Sequence, residues 1–258
     1  MIEIQITIDN LNINYIKKGE GKSVIILPGW GASTSIYDCL INEISKYACV
    51  YCIDMPGVGE SQEMSKSWNI QDYVNLVINF INSQKLKDVT LIGHSNGGRI
   101  IIKLLSDKKY KFKINKAILI GSAGIKRKKN FKQKLKIKVY KLCRKFLELK
   151  IFNGAFKGVV DKMRTTFGSD DYRNATPVMR QTLVNLVETD LTNCLKYVDV
   201  PTLLIWGTAD DATPITHAKI MEKQIPDAGL VEIKDGSHYV FLEQPIYINR
   251  IIKVFLEE

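Results

Sequence analysis

The chain is punctuated by short apolar runs at 23–27, 49–53, 89–92, 116–120, 202–206 and 230–233, each bounded by turn residues and rich in Ile, Leu and Val. Successive residues of a strand point to opposite faces, so a strand with one wet face alternates polar and apolar side chains. These runs do not alternate. Both of their faces therefore have to be covered, which is the condition of parallel strands in an α/β sheet. Stretches of helical periodicity lie between them, as at 70–84 and 97–105, and supply the cover. Only the first two segments, 3–8 and 11–16, precede this pattern as alternating strands, and Asp9-Asn10 between them is a turn signal. The expected architecture is α/β, a mostly parallel sheet of about eight strands flanked by helices with an antiparallel start. At 258 residues the chain has material for one large core plus an insert, and little for two full domains.

The strand–helix rhythm stops between Gly124 and about Leu195, where helical periodicity continues without a convincing strand. Phe131, Leu135, Val139, Leu142, Phe146 and Leu149 are spaced by three or four and share one stripe of a helix. A second helix is expected from about 177 to 188, with Pro177 suited to a first helical turn. An all-helical insert between two parallel strands reads as a lid, which divides the chain into a core (1–124 and 196–258) and a helical cap (125–195).

The net charge of +10 belongs to this insert. Residues 126–164 hold fifteen Lys and Arg against Glu148 and Asp161, a local charge of +13, and leave the remainder at −3. Two readings fit: a solvated rim around a lid helix that packs on the core, or a surface that makes weak contact with anionic lipid. Nucleic-acid binding is not expected, because the basic segment carries no reading motif. Cys39, Cys49, Cys52, Cys143 and Cys194 are odd in number and scattered, which points to a reducing cytoplasm and against a disulfide framework. Cys49 and Cys52 form a C-x-x-C inside an apparent strand, where residues three apart face opposite sides. No apolar stretch approaches the roughly 20 residues that span a bilayer, and the start reads as a strand without the charged and apolar regions of a signal peptide.

The segment Gly93-His94-Ser95-Asn96-Gly97 is a G-x-S-x-G placed between a strand and a helix. A serine there occupies a sharp, strained turn that presents its Oγ at the carboxyl edge of the sheet, and flanking glycines remove colliding side chains. A serine hydroxyl needs a base at neutral pH. Of the three histidines, His94 adjoins Ser95 and should point elsewhere, and His217 reads as an exposed helix residue. His238 follows the last strand at the same sheet edge and is the candidate base. The imidazole in turn needs an acidic partner at a strand's carboxyl end, and Asp210 and Asp211 both qualify. The order serine, acid, histidine agrees with one of the convergent triad orders.

These residues resemble the α/β-hydrolase superfamily in its small, lid-bearing, esterase-like branch. The resemblance covers nearly the whole chain except the lid. The oxyanion loop of the family is matched by Leu27-Pro28-Gly29-Trp30-Gly31, and its D-x-P-G-x-G-x-S loop by Asp54 through Ser61. A W-G-x-x-D-x-x-x-P pattern matches Trp206 through Pro214 and selects Asp210 over Asp211, while G-x-H-x-x-x-x-E-x-P matches Gly236, His238, Glu243 and Pro245. The resemblance implies an oxyanion hole from the backbone N–H groups of Trp30 and Asn96, with Trp30 and Tyr239 as candidates to touch the substrate. It departs at Pro28, where the family usually has histidine; altered loop packing is expected there more than lost activity. Dehalogenases and epoxide hydrolases are excluded because they carry aspartate at the elbow. No metal-ligand spacing and no dinucleotide or phosphate loop is present in the sequence. The expectation is a cofactor-free serine hydrolase that cleaves a carboxylic ester of a small or medium acyl substrate. The alternatives are cleavage of a thioester or a carbon–carbon bond by the same triad, or a non-catalytic ligand receptor.

Overall fold

The computed structural model describes residues 2–126 and 175–257. Its strands are β1 (Ile2–Ile8), β2 (Leu11–Lys18), β3 (Ser23–Leu27), β4 (Cys49–Ile53), β5 (Asp88–His94), β6 (Lys113–Ile120), β7 (Thr202–Gly207) and β8 (Ala228–Ile233). They form one eight-stranded sheet in the order β1-β2-β4-β3-β5-β6-β7-β8. β1 pairs antiparallel with β2, and β2 antiparallel with β4; all later pairings are parallel. The first turn follows from its residues: Asp9 and Asn10 both take positive φ, 50° and 65°. That is the two-residue hairpin geometry that matches strand twist.

The apolar runs lie where the sequence places them, and the strands they form send their side chains to two separate cores. Ile25, Leu27, Leu91, Leu119, Leu204 and Trp206 enter one; Val24, Ile26, Ile92, Ile118, Ile120 and Ile205 enter the other. Cys49 and Cys52 divide in the same way, to opposite faces. Helices α2 (Ile70–Ser83) and α3 (Asn96–Asp107) cover the first face through residues such as Tyr73, Phe80, Ile101 and Leu104. The second is covered by α1 (Asp38–Ile44) and the last helix (Pro245–Glu257), which bury Leu40, Ile41, Ile44, Ile248 and Ile252. Strands β5 and β6 run longer than their apolar runs because the pairing continues through polar residues, with Asp88 opposite Lys113. Hydropathy does not register such extensions.

Of the expected lid, the structure describes only the two ends. Helix α4 (Pro177–Glu188) starts with Thr176, whose Oγ1 accepts from the Met179 N–H at 3.2 Å, and Pro177 stands at the first turn. Thr182 Oγ1 accepts from the Trp68 N–H at 3.0 Å, and Asn185 donates to the Trp68 carbonyl at 2.9 Å, which ties α4 to the loop before α2. Leu186, Leu191 and Leu195 are buried in the first core. The Leu191 N–H donates to the Gly124 carbonyl at 2.8 Å, so the two ends of the insert meet in a backbone hydrogen bond. The stripe from Phe131 to Leu149 and its lysines lie outside the described residues. No helix among the described residues is long and apolar enough to cross a membrane.

The chain places β4 on one side of β3 and then crosses to place β5 on the other. That reversal falls at the carboxyl ends of β3 and β5, where the ligand crevice of an open α/β sheet usually lies.

Candidate active site

Ser95 stands at this edge, between β5 and α3, with φ 51° and ψ −111°. A residue with a Cβ pays of the order of 1–3 kcal/mol for such a conformation, so the surroundings must impose it. They do so by close approach. A methyl group at Gly97 would stand 1.9 Å from the Leu27 carbonyl oxygen, one at Gly93 would stand 2.5 Å from the Gly98 nitrogen, and one at Gly98 would meet Ser122 Oγ at 2.1 Å. The backbone of Ser95 is held from the end of β6: its N–H donates to the Ile120 carbonyl (3.0 Å), and its carbonyl accepts from Ala123 (2.9 Å). The hydroxyl makes no capping hydrogen bond to α3 and is left for other partners.

The candidate acid and base, Asp210 and His238, come from the loops after β7 and β8. His238 Nδ1 and Asp210 Oδ2 are 2.8 Å apart, with the Asp210 side chain fully buried. Asp210 Oδ1 accepts from the Ala212 and Thr213 N–H groups at 2.9 and 2.8 Å, and the Thr213 hydroxyl lies 2.8 Å from Oδ2. Burial pushes the Asp210 carboxyl up, but the hydrogen bonds from His238 and Thr213 outweigh it and leave the group below its ordinary value. It stays ionised at neutral pH. The Trp206 indole donates to the Thr213 carbonyl at 2.6 Å and shapes this loop. Glu243 braces the other loop by accepting from the Ser237 N–H at 2.9 Å and from the Ser237 hydroxyl. The two loops are also joined directly, the Ala209 N–H donating to the Gly236 carbonyl at 3.0 Å. Asp211, by contrast, is exposed.

His217 is a correction. It sits on α5 (Ile215–Gln224) and is buried beside Ala218 and Met221, where the sequence suggested an exposed side chain. Its helix packs on the first core through this face, and the isolated polar residue hid that.

Gly121, Thr213, Tyr37 and His94 are site residues that no motif announced. Gly121 follows β6 with φ 49°, and a methyl group there would stand 3.1 Å from Asp210 Oδ2 and 3.2 Å from His238 Nδ1. Gly121→Ala is therefore expected to lower kcat at least about tenfold by displacing the pair, and to destabilise the fold by about 1 kcal/mol or more. Steady-state kinetics and thermal melts of the same sample check both.

His94 is buried and points into the site's foundation. Its ring is 4.7 Å from that of His238, its Nε2 is 3.0 Å from the His238 carbonyl, and its Nδ1 is 2.9 Å from the Tyr37 hydroxyl. Burial first, and then the neighbouring His238, push its pKa down from 6.5 to about 3. An unfolded chain would protonate this imidazole below pH 6.5, whereas the folded one resists until about pH 3. The unfolded state thus binds the extra proton, and stability falls with pH across that window by up to about 1.4 kcal/mol per unit. The Asp210 contribution has the same sign but is lost only as pH falls below the ordinary aspartate range. Urea melts at pH 7 and pH 4.5 should therefore show a loss in the wild type that is smaller in His94→Gln.

The oxyanion loop meets the elbow closely: a methyl group at Gly29 would stand 3.0 Å from His94 Nδ1 and 3.3 Å from Ser95 Cβ. Trp30, next along, is partly buried and packs against the first core. Asn96 is buried in the first turn of α3, where leading N–H groups have no intrahelical partner. After Pro28, the Gly29 N–H donates to Tyr37 Oη at 2.8 Å. Tyr239 is 37% exposed with its ring 5.4 Å from His238. The Asp54 loop supports the oxyanion loop from below, Asp54 accepting from the Thr34 N–H at 2.7 Å and from the Asn14 amide at 2.8 Å. Among the described residues, no group of three or more His, Cys, Asp or Glu side chains is placed to hold a metal ion.

A mostly parallel eight-stranded sheet, with a strained strand–turn–helix serine and a hydrogen-bonded Asp–His pair at its carboxyl edge, defines the α/β-hydrolase class. The chain belongs to the alpha/beta hydrolase fold family, whose profile matches residues 22–245. It is 27% identical over 256 residues to a pimeloyl-[acyl-carrier protein] methyl ester esterase of Wigglesworthia glossinidia brevipalpis, covering 92% of this chain and 94% of the relative. Among solved structures, an esterase from Exiguobacterium antarcticum superposes with a TM-score of 0.76 at 22% identity over 99% of each chain. A bromoperoxidase from Bacillus anthracis gives 0.78 at 20% identity over 100% of each.

Proposed function

We propose that the protein is a serine hydrolase that cleaves a carboxylic ester of a small or medium acyl substrate. The observation that carries this reading is the 2.8 Å hydrogen bond between His238 Nδ1 and buried Asp210, on a loop packed against the residue before Ser95. With Nδ1–H directed at Asp210, Nε2 is the nitrogen that accepts a proton. His238 takes the Ser95 hydroxyl proton as Oγ attacks the ester carbonyl. The tetrahedral oxyanion is received by the N–H groups of Trp30 and Asn96. Collapse breaks the ester C–O bond, His238 returns the proton to the departing alkoxide, and an acyl-Ser95 remains. Water then attacks with the same base and releases the acid. Asp210, ionised and buried, stabilises the imidazolium in both halves. Every step uses groups of this chain and water. The esterase named among the relatives supports the ester class; its acyl-carrier-protein substrate is that relative's own. Turnover of a panel of p-nitrophenyl esters, with one covalently labelled serine after fluorophosphonate treatment, is the expected result. A protein that binds esters without turnover or labelling would be a receptor instead.

We place the enzyme in the cytoplasm, in keeping with the unpaired thiols of Cys39, Cys49, Cys52 and Cys194. The basic segment is assigned a weak contact with anionic membrane surfaces. Acidic vesicles should pellet the protein at low salt, less so as salt screens the charge, and less when Lys132, Lys136 and Lys141 are changed to Gln. Equal, negligible pelleting of wild type and triple variant at both salt concentrations would assign these lysines to a solvated rim.

A further inference from the structure

On the reading that Ser95 attacks and His238 takes its proton, we propose that Tyr37 and His94 are positioning residues. They fix the oxyanion loop and the loop of the general base to one another through one buried chain of hydrogen bonds. The chain has a single consistent direction. The Gly29 N–H donates to Tyr37 Oη at 2.8 Å. The Tyr37 hydroxyl in turn finds His94 Nδ1 at 2.9 Å, so that nitrogen is the acceptor and carries no proton. The proton of the neutral imidazole then sits on Nε2, which faces the His238 carbonyl oxygen at 3.0 Å. Exchanging the tautomer would leave the Tyr37 hydroxyl without its acceptor and set the bare Nε2 against the oxygen of a carbonyl.

What the chain connects distinguishes it from ordinary core polarity. Gly29 precedes Trp30, His94 precedes Ser95, and His238 is the base itself. Gly29, His94 and His238 are thus each at, or one residue from, a group assigned to the reaction, and Tyr37 joins the first two. Tyr37 and His94 are 0% and 1% exposed, so loss of either link strands a polar group away from bulk water. Burial also pushes the Tyr37 hydroxyl well above its ordinary range, which keeps its proton available to donate. Phe241 stacks on the Tyr37 ring at 5.2 Å and meets the His94 ring edge-on at 5.1 Å, which leaves both rings little freedom to turn. A shift of His94 reaches the oxyanion loop through the Tyr37 hydroxyl, which is bonded to both His94 Nδ1 and the Gly29 N–H.

The test compares Tyr37→Phe, His94→Gln and the double variant on a short p-nitrophenyl ester, with thermal melts of each. Gln can still donate toward the His238 carbonyl but gives the Tyr37 hydroxyl no ring acceptor. Each single change is expected to lower kcat about ten- to a hundredfold with KM changed less than about threefold. The double variant should lose no more than the worse single, because both interrupt the same chain. Additive losses, losses confined to KM, or kcat values that track the melting temperature would overturn the proposal. Imidazole 15N NMR of the wild type needs no variant: it should show neutral His94 with its proton on Nε2 between pH 5 and 8. A proton on Nδ1, or titration within that range, would overturn it equally. Ser95→Ala keeps the two failures apart. Retained turnover in that variant would fault the nucleophile, whereas a dead Ser95→Ala beside a fully active Tyr37→Phe would fault the relay alone.

Discussion

Ser95→Ala should lower ester turnover by about a millionfold, the cost of removing the nucleophile from a comparable triad, and should abolish fluorophosphonate labelling. The fold should be unaffected. Alanine keeps the Cβ and with it the strained φ of 51°, and the backbone bonds to Ile120 and Ala123 do not involve the hydroxyl. Ser95→Gly offers a control in the opposite direction: equally inactive, it sheds the Cβ that makes the turn costly and should melt above Ser95→Ala. Labelling that persisted at another serine would end the assignment.

The second large effect belongs to the base and its acid. His238→Ala should be nearly as damaging as loss of the serine, and Asp210→Asn should cost about ten-thousandfold, since an amide facing Nδ1 favours the wrong tautomer. Asp211→Asn should be silent, because that side chain is exposed and Asp210 alone receives the bonds from Ala212, Thr213 and His238. Toward acid pH Asp210 should remain charged, because its hydrogen bonds from His238 and Thr213 hold it below its ordinary value against the effect of burial. Damage from Asp211→Asn together with a harmless Asp210→Asn would shift the whole loop by one residue.

Much of this arrangement could be read from the sequence because it is written locally. The strands at 23–27 and 49–53 are bounded as their apolar runs are, since both faces are buried over the full length. The Ser95 elbow is legible because Gly93 and Gly97 flank the serine at fixed spacing, although the neighbour that Gly97 clears, the Leu27 carbonyl, comes from another strand. Asp210 is separable from Asp211 through Trp206 and Pro214, whose spacing encloses Thr213, the residue that closes the loop. Other parts are written only in the tertiary structure. His94 meets Tyr37 across 57 residues and His238 across 144, and nothing near either partner signals the contact. Gly121 looks like any glycine after a strand until Asp210 and His238 arrive from two later loops. His217 was obscured for the reverse reason: one polar residue on a packed helix face resembles an exposed one when only its own type is considered.

The backbone bond between Leu191 and Gly124 has an evolutionary consequence. It closes a neck, so the core on either side experiences the intervening segment as a loop with fixed ends. Closing a loop costs entropy that grows only with the logarithm of its length, about 0.6 kcal/mol per doubling. Apart from α4, whose Met179 and Leu186 are buried in the first core, a lineage can therefore lengthen, shorten or recharge this segment at little entropic cost to the rest of the molecule. The same neck marks where a grafted segment from a relative should be joined.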